Sequence, residues 1–458
     1  MFPASLCFTS VSLFTGAGGL DTGLCRVGAF DLLACVELVE PFCETLRTNR
    51  DAGRLGTRAT QVIQADIASL NPEDLMDSLG LAPGELDLLI GGPPCQSFST
   101  AGRRQTIADP RGTLAWDFLR FVDVLRPKFF LMENVRGLLS AALRHRPIAA
   151  RPERGGPPLH AEEMPGSVMS LWAADASCVG GEAYRVDCFE VNAVNYGAPQ
   201  LRERVLFIGN RLGHLTAFPP PTHGPVDPAT GQPPAGLAPF TTLGDALTGF
   251  HEDDQVLMDF SPRKKRYLAM VPPGGNWRAL PPQVAQESMG RAYLAKGGRS
   301  GWWRRLSWDL PCPTLVTMPN HASTSMCHPE DVRALSVGEC ARVQGFPDGW
   351  VFAGTPEQQY AQVGNAVPTR LGTVAGEVIA THLAAAAGGA AETAGHEPGA
   401  LPSFRRVYLK SHVRTRQWYR NGQAYVWDGL GGSAHYGGAT RSERNRAAEP
   451  PGPAVRTT

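Results

Sequence analysis

Apolar and polar positions alternate in a regular rhythm through the first two hundred residues. Short apolar runs occupy 10–14, 32–37, 61–63, 86–90, 129–132 and 204–208, and helical stretches, among them 41–49 and 116–125, lie between them. Short apolar strands separated by helices predict an α/β fold built on a doubly wound, mostly parallel sheet. Ligands bind such sheets beyond the carboxyl ends of the strands. The chain puts its least ordinary residues there: a glycine-rich turn after Phe14, then Glu37, Asp66, the turn Gly91-Gly92-Pro93-Pro94-Cys95, and Glu133.

The rhythm breaks twice. Residues 151–181 are rich in Pro, Gly and Ala and read as a long surface insertion. From 213 to 356, prolines, aromatics and basic residues dominate, which predicts a second, smaller domain. A glycine turn and a helix return at 357–388, so this late segment is expected to complete the first domain, 1–212. An Ala/Gly linker at 389–400 and a basic tail at 401–458 follow.

At 458 residues and 43% hydrophobic, the chain has the size and composition for more than one globular unit. Its formal net charge is zero, but the charge is unevenly spread. Residues 261–308 hold ten Lys/Arg against one acid, +9, and residues 401–458 hold ten against three, +7, which leaves −16 on the remainder. Two basic segments on an acidic body point to a polyanion partner, although a solvated face carries the same signature. Ten cysteines at irregular spacing, with no Cys-x-x-Cys pair, argue against zinc and a disulfide framework and for a reducing cytosol. No Lys or Arg precedes Arg26, and no apolar run approaches membrane-spanning length. Neither a signal peptide nor a membrane span is expected.

The turn Phe14-Thr15-Gly16-Ala17-Gly18-Gly19-Leu20 follows the first strand. Its glycines let the backbone bend sharply and approach a ligand. Glu37, 18 residues past Gly19 at the end of the next strand, stands where an acid accepts ribose hydroxyls. Together they favour a nucleoside-containing cofactor over an ordinary tight turn, with Asp66-Ile67 placed to bracket its adenine. Cys95 sits in a loop stiffened by Pro93 and Pro94. Rigid presentation suits a nucleophilic thiol, and a small packed hydrophobe is an equal reading. Glu133 follows four apolar residues. An acid facing a cleft there has a raised pKa and donates a proton; a loop-tying acid is the alternative. Arg202 and Arg204 alternate along an extended segment and so point one way. They suit a grip on phosphate or a base edge, or simply an exposed strand edge.

Taken in order, these motifs resemble the cytosine-5 DNA methyltransferases. The series runs from FTGAGGL through Glu37, Asp66, GGPPCQSFS, Asp109-Pro110-Arg111-Gly112, Glu133-Asn134-Val135 and QLRER. It ends with RALS…E…RVQGFP at 333–347 and Gln362-Val363-Gly364-Asn365-Ala366-Val367-Pro368. The resemblance covers 10–383 and leaves the tail unexplained.

That resemblance implies a Rossmann-like methyltransferase core and a defined chemistry. Cys95 would add as a thiolate to carbon 6 of a cytosine flipped out of duplex DNA, so that carbon 5 takes a methyl group from S-adenosylmethionine. Glu133 would stabilise or protonate ring nitrogen 3, and Arg204, with Arg202 beside it, would contact the base. The cofactor site carries over as Phe14, Gly16, Gly18, Gly19, Leu20, Glu37, Leu38, Asp66, Ile67, Pro94, Asn365 and Val367. Leu38 departs from the aromatic or β-branched residue the family often sets against the adenine, so weaker stacking is expected. Ser99 and Arg111 match positions that hold the DNA backbone. Residues 213–356 become the target-recognition domain, in which Arg304 and Arg305 are candidates to read guanine. The implied protein is a monomeric DNA (cytosine-5)-methyltransferase of the bacterial cytosol that uses no metal. It works beside a cognate restriction endonuclease or alone as an epigenetic methylase. Two alternatives are a tRNA cytosine-5 methyltransferase and an inactive DNA-binding regulator. The tRNA branch carries Cys-Phe-Thr in its recognition module, whereas Cys7-Phe8-Thr9 stands before the first strand here. An intact Cys95, Glu133 and cofactor turn speak against a dead enzyme.

Overall fold

The structure is a computed structural model. It describes residues 6–94, 113–181, 183–227, 230–295, 299–388, 404–409, 412–413, 419–420 and 423–424. Eight strands form the main sheet: β1 Phe8–Leu13, β2 Phe30–Glu37, β3 Gln61–Gln64, β4 Leu88–Gly91, β5 Phe129–Asn134, β6 Arg185–Asn192, β7 Glu203–Asn210 and β8 Phe404–Tyr408. Their order across the sheet is β8-β6-β7-β5-β4-β1-β2-β3. β1 to β5 pair in parallel. β7 runs antiparallel to both β5 and β6, and β8 runs parallel to β6. The expected α/β class and mostly parallel sheet are what the chain adopts.

Alternate strand residues face opposite sides, and both sides are covered by helices. Val11, Leu13, Leu89, Phe130 and Met132 pack against α4 (Leu114–Leu125) and α5 (Ser167–Ala176), after α1 (Gly19–Cys25), α2 (Glu40–Asp51) and α3 (Pro72–Ser78) in chain order. Leu88, Ile90, Phe129 and Leu131 face α1 and the long helix at Thr369–Ala387. Between the two lie α6 (Pro262–Leu268), α7 (Pro282–Met289), α8 (Val337–Gln344) and α9 (Pro356–Asn365), so the long helix is α10.

The backbones of α1 and α10 nearly touch. A Cβ on Gly23 would lie 2.0 Å from the Thr369 carbonyl oxygen, and one on Gly372 would lie 2.3 Å from that of Leu20. Only glycine permits this approach. Thr373 Oγ1 closes the contact by donating to the Gly23 carbonyl at 2.9 Å. The contact draws residues 365–367, two hundred positions beyond the catalytic segments in sequence, to the first glycine turn.

Three expectations change. Residues 151–181 are not wholly a surface insertion: Val168, Met169, Trp172 and Ala176 of α5 are buried in the core under the sheet. Trp172 donates to the Ala115 carbonyl, and Trp116 donates to Asp175, so α4 and α5 are laced together. The second domain is also not cleanly separate. Phe260, Tyr267, Leu268, Val271 and Trp303 form their own small core. Leu306, Leu315, Leu335 and Trp350, however, are buried with Leu32, Cys35, Leu46 and Leu55 of the first domain. Finally, the tail contributes β8 to the main sheet. Among the described residues no helix is long and apolar enough to cross a membrane.

Candidate active site

At the carboxyl ends of β1, β2, β4 and β5 lies a cleft of about 670 Å³. It is lined by Phe14, Gly16, Gly19, Leu20, Glu37, Leu38, Asp66, Ile67, Pro94, Asn365 and Val367, together with Glu133, Arg202 and Arg204. Sequence reasoning scattered these residues over 350 positions; the sheet edge and the α1–α10 contact bring them to one place. Gly18 does not line the cleft. It caps α1 from behind at φ 77°, and a Cβ there would lie 3.0 Å from Leu46 Cδ2.

The glycine turn is shaped to hold a ligand. Phe14 itself takes φ 53°, which is uncommon for a residue with a side chain, and Gly16 follows at φ 59°. A side chain on Gly16 would meet nothing within 4 Å, so its backbone faces open space. The Glu37 carboxylate is locked by three backbone donors: Gly16 at 2.8 Å, Leu38 at 2.9 Å and Val39 at 3.0 Å. A carboxylate has more lone pairs than these three bonds use, so Glu37 is oriented and still able to accept ribose hydroxyls. Asp66 is exposed on the wall, with Ile67 buried beside it, and Leu38 is largely exposed at the rim. An oriented acceptor, an open backbone cradle and an apolar rim fit the ribose, amino-acid end and adenine of S-adenosylmethionine. A bare leucine leaves the adenine face without an aromatic platform.

The chemical end of the cleft is built around Glu133. It ends β5, is buried, and its Oε1 lies 2.5 Å from Arg204 Nε. Burial pushes its pKa up; the nearby Arg204 and Arg202 charges pull against this but do not overcome it. Gly92 gives this carboxylate room, since a Cβ there would sit 3.4 Å from Glu133 Oε2. Gly91 is required more strictly: its Cβ would be 2.9 Å from the Leu13 carbonyl and from the Phe118 ring. Asn134 Nδ2 donates to the Pro93 carbonyl at 3.1 Å. The turn that leads to Cys95 is therefore tied to the residue after Glu133. Cys95, Ser99 and Arg111 themselves lie outside the described residues.

Arg202 and Arg204 both border the cleft but are engaged differently. Arg204 pairs with Glu133 and donates to the Glu203 carbonyl. Arg202 is 2% exposed and donates to the carbonyls of Leu315, Gly364 and Asn365 at 3.1, 2.8 and 3.2 Å. It joins the second domain and the late segment to the cleft, while its Nε is buried with no partner among the described residues. Arg304 and Arg305 are both engaged within the second domain. Arg304 Nε donates to the Ser325 carbonyl, and Arg305 donates to the carbonyls of Val271, Pro329 and Glu330. Their guanidinium groups tie loops of the domain together.

Two residues of the site were not singled out from the sequence: Asn134 stood only as part of the Glu133-Asn134-Val135 motif, and Asp21 belonged to no motif. Asn134 works through a carbonyl 41 positions away. Asp21 lines the cleft from inside the first turn of α1, 1% exposed, where an acid normally signals only a helix start. Among the described residues no group of three or more His, Cys, Asp or Glu could hold a metal ion.

The sequence pattern described as C-5 cytosine-specific DNA methylase matches residues 8–147 and 179–381. Type II methyltransferase M.Sau96I of Staphylococcus aureus is 35% identical over 372 residues, which cover 81% of this chain and 75% of that protein. Type II methyltransferase M.PspPI of Psychrobacter sp. (strain TA137) is 34% identical over 384 residues, 83% of this chain and 80% of that protein. The crystal structure of an Escherichia coli prophage protein, described as a DNA modification methyltransferase, shares the fold with a TM-score of 0.52. It is 24% identical, and the match covers 82% of this chain and 99% of that one.

Proposed function

Because the chain belongs to the C-5 cytosine-specific DNA methylases and is a DNA cytosine-5 methyltransferase, we propose that Cys95 is its nucleophile and Glu133 its proton donor. The observation that carries this reading is the convergence, on one cleft, of Glu133, Arg204, the Asn134-tethered turn before Cys95 and the glycine turn.

The cytosine is flipped from the duplex into the cleft. The Cys95 thiolate forms a bond to carbon 6, and the ring electrons displaced by that bond move toward nitrogen 3. Glu133, its pKa raised by burial, meets the developing charge with a proton. Arg204 holds Glu133 in place through the 2.5 Å contact and is near enough to the cleft to face the base. Arg202 keeps Asn365 and the second domain in register around it. Carbon 5 is now enamine-like and nucleophilic. When bound, S-adenosylmethionine supplies the methyl group; Glu37, Asp66, Asn365 and Val367 would hold it. The proton on nitrogen 3 returns to Glu133; a base removes the carbon-5 proton, its bonding electrons re-form the carbon 5–carbon 6 double bond, the carbon 6–sulfur bond breaks, and the thiolate is regenerated. Ser99 and Arg111 hold the strand on either side of the flipped nucleotide.

The enzyme acts as a monomer in a bacterial cytosol and protects a duplex site from a cognate restriction endonuclease. The Type II methyltransferase names of its relatives support this setting. The test is transfer of labelled methyl to duplex DNA and to tRNA by the wild type and by Cys95→Ser. Label is expected in duplex cytosines with the wild type and at background with the variant. A fully active Cys95→Ser enzyme removes the nucleophile assignment, and preference for tRNA removes the substrate.

A further inference from the structure

The family match ends at residue 381, yet residues 404–409, 412 and 413 are built into the catalytic domain. Arg405 and Arg406 of β8 are consecutive, so their side chains leave opposite faces of the sheet. Arg405 pairs with Asp187 at 2.7 Å and donates to the Thr216 carbonyl. Arg406 grips one oxygen of Glu190 through Nη2 at 2.6 Å and Nε at 3.1 Å. The other oxygen of Glu190 accepts from Arg136 Nε at 2.9 Å. Glu190 is 1% exposed, so these arginines, not water, hold its carboxylate in place.

Arg136 is the second residue after Asn134, on the loop that leaves β5. Its Nη1 also lies 3.8 Å from Glu203, the neighbour of Arg204. A single buried carboxylate therefore links the tail to the segment that carries Glu133. We propose that Arg406 is a positioning residue for methyl transfer: through Glu190 it sets Arg136, and with it the 133–135 segment. The proposal rests on the assignment of Glu133 as the proton donor. Without Arg406, Glu190 loses two charge-assisted bonds on one oxygen, and the carboxylate and Arg136 resettle around each other. The shift reaches the backbone two residues from Asn134, which tethers the Cys95 turn. Displacements of this size far from the chemistry slow a reaction without removing any reacting group.

Arg405 provides the internal control, since it makes an equally buried ion pair on the other face, away from the loop. The experiment compares full-length Arg406→Gln, Arg406→Lys, Arg405→Gln and Glu133→Gln by single-turnover methyl transfer, thermal midpoint and affinity for S-adenosylhomocysteine. Arg405→Gln and Arg406→Gln are expected to lower the midpoint alike. Only Arg406→Gln should slow the single-turnover rate, by roughly tenfold, with affinity for S-adenosylhomocysteine unchanged. Arg406→Lys should recover part of the rate. Arg136→Gln placed on Arg406→Gln should cost no further rate, because the two act through one carboxylate. Equal rates for Arg405→Gln and Arg406→Gln, with Glu133→Gln slow, would overturn the proposal alone. Full rate in Glu133→Gln would overturn the assignment beneath it as well.

Discussion

At the scale of single residues, the site is defined by buried charges whose partners lie far away in the chain. Glu133 and Arg204 were legible as candidates because each stands at a strand boundary. The carbonyl contacts of Arg304 and Arg305 were not legible, because an arginine pair in a basic segment has the same composition whatever it faces. Asp21 was missed for the opposite reason: nothing local marks it as buried. It is 1% exposed, Ser12 supplies one hydrogen bond, and its Oδ1 has no partner among the described residues. Burial lifts its pKa from 3.8 to about 6. The folded state therefore binds this proton more tightly than the unfolded chain does. The stability this gives is fully present below about pH 3.8 and is lost as pH rises through 6. Above pH 7 the ionised group costs about 3 kcal/mol, at 1.36 kcal/mol per pKa unit. Asp21→Asn keeps the shape and removes the charge. It should raise the thermal midpoint clearly at pH 8 and much less at pH 4.5. An equal shift at both pH values would show that Asp21 is not the titrating group.

At the scale of elements, apolar runs predicted β1, β2, β4, β5 and β7 to within a few residues, because each is largely buried by its own sequence, and they predicted β3, a half-buried edge strand, as well. β6 escaped notice. Its sequence, RVDCFEVN, interrupts the apolar pattern with Asp187 and Glu190, whose buried carboxylates are met by Thr216, Arg136 and, from more than two hundred positions away, Arg405 and Arg406. The α1–α10 contact was equally invisible, since a glycine needed for helix packing looks like any other glycine. That contact makes a strong prediction. Gly23→Ala puts a methyl where the Thr369 oxygen stands, so the helices must part. A loss of about 1–3 kcal/mol is expected from overpacking. Affinity for S-adenosylhomocysteine should fall too, because the segment from Asn365 to Val367 that leads into α10 lines the cleft. Gly388→Ala, whose added carbon would find 3.5 Å of clearance, should leave both unchanged. Denaturant titration and calorimetric binding of the two variants would measure this, and equal behaviour would refute the packing argument.

At the scale of the whole molecule, the chain is closed by segments that return from its far end. Residues 365–367 line the cleft, and residues 404–408 complete the sheet. The second of these could not be read from composition, since a basic tail after an Ala/Gly stretch has the same sequence signature whether it hangs in solvent or adds a strand. Its docking is specific: His412 is buried with its Nε2 2.8 Å from Tyr196 Oη, and Asn192 and Asn195 bond the backbone of Val413. Truncation after residue 400 would strip Asp187 and Glu190 of Arg405 and Arg406 and leave β6 as a bare edge. Removing one partner from buried pairs of this kind costs about 3–5 kcal/mol, and an uncovered edge strand invites pairing between copies. The shortened protein should therefore melt earlier and associate as its concentration rises, as seen by thermal denaturation and sedimentation. Truncation after Val413 keeps every one of these pairs and should melt close to the full chain. If the two truncations instead melt together, the docked strand is not what closes the sheet, and the stability of the catalytic domain must come wholly from the segment that ends with α10.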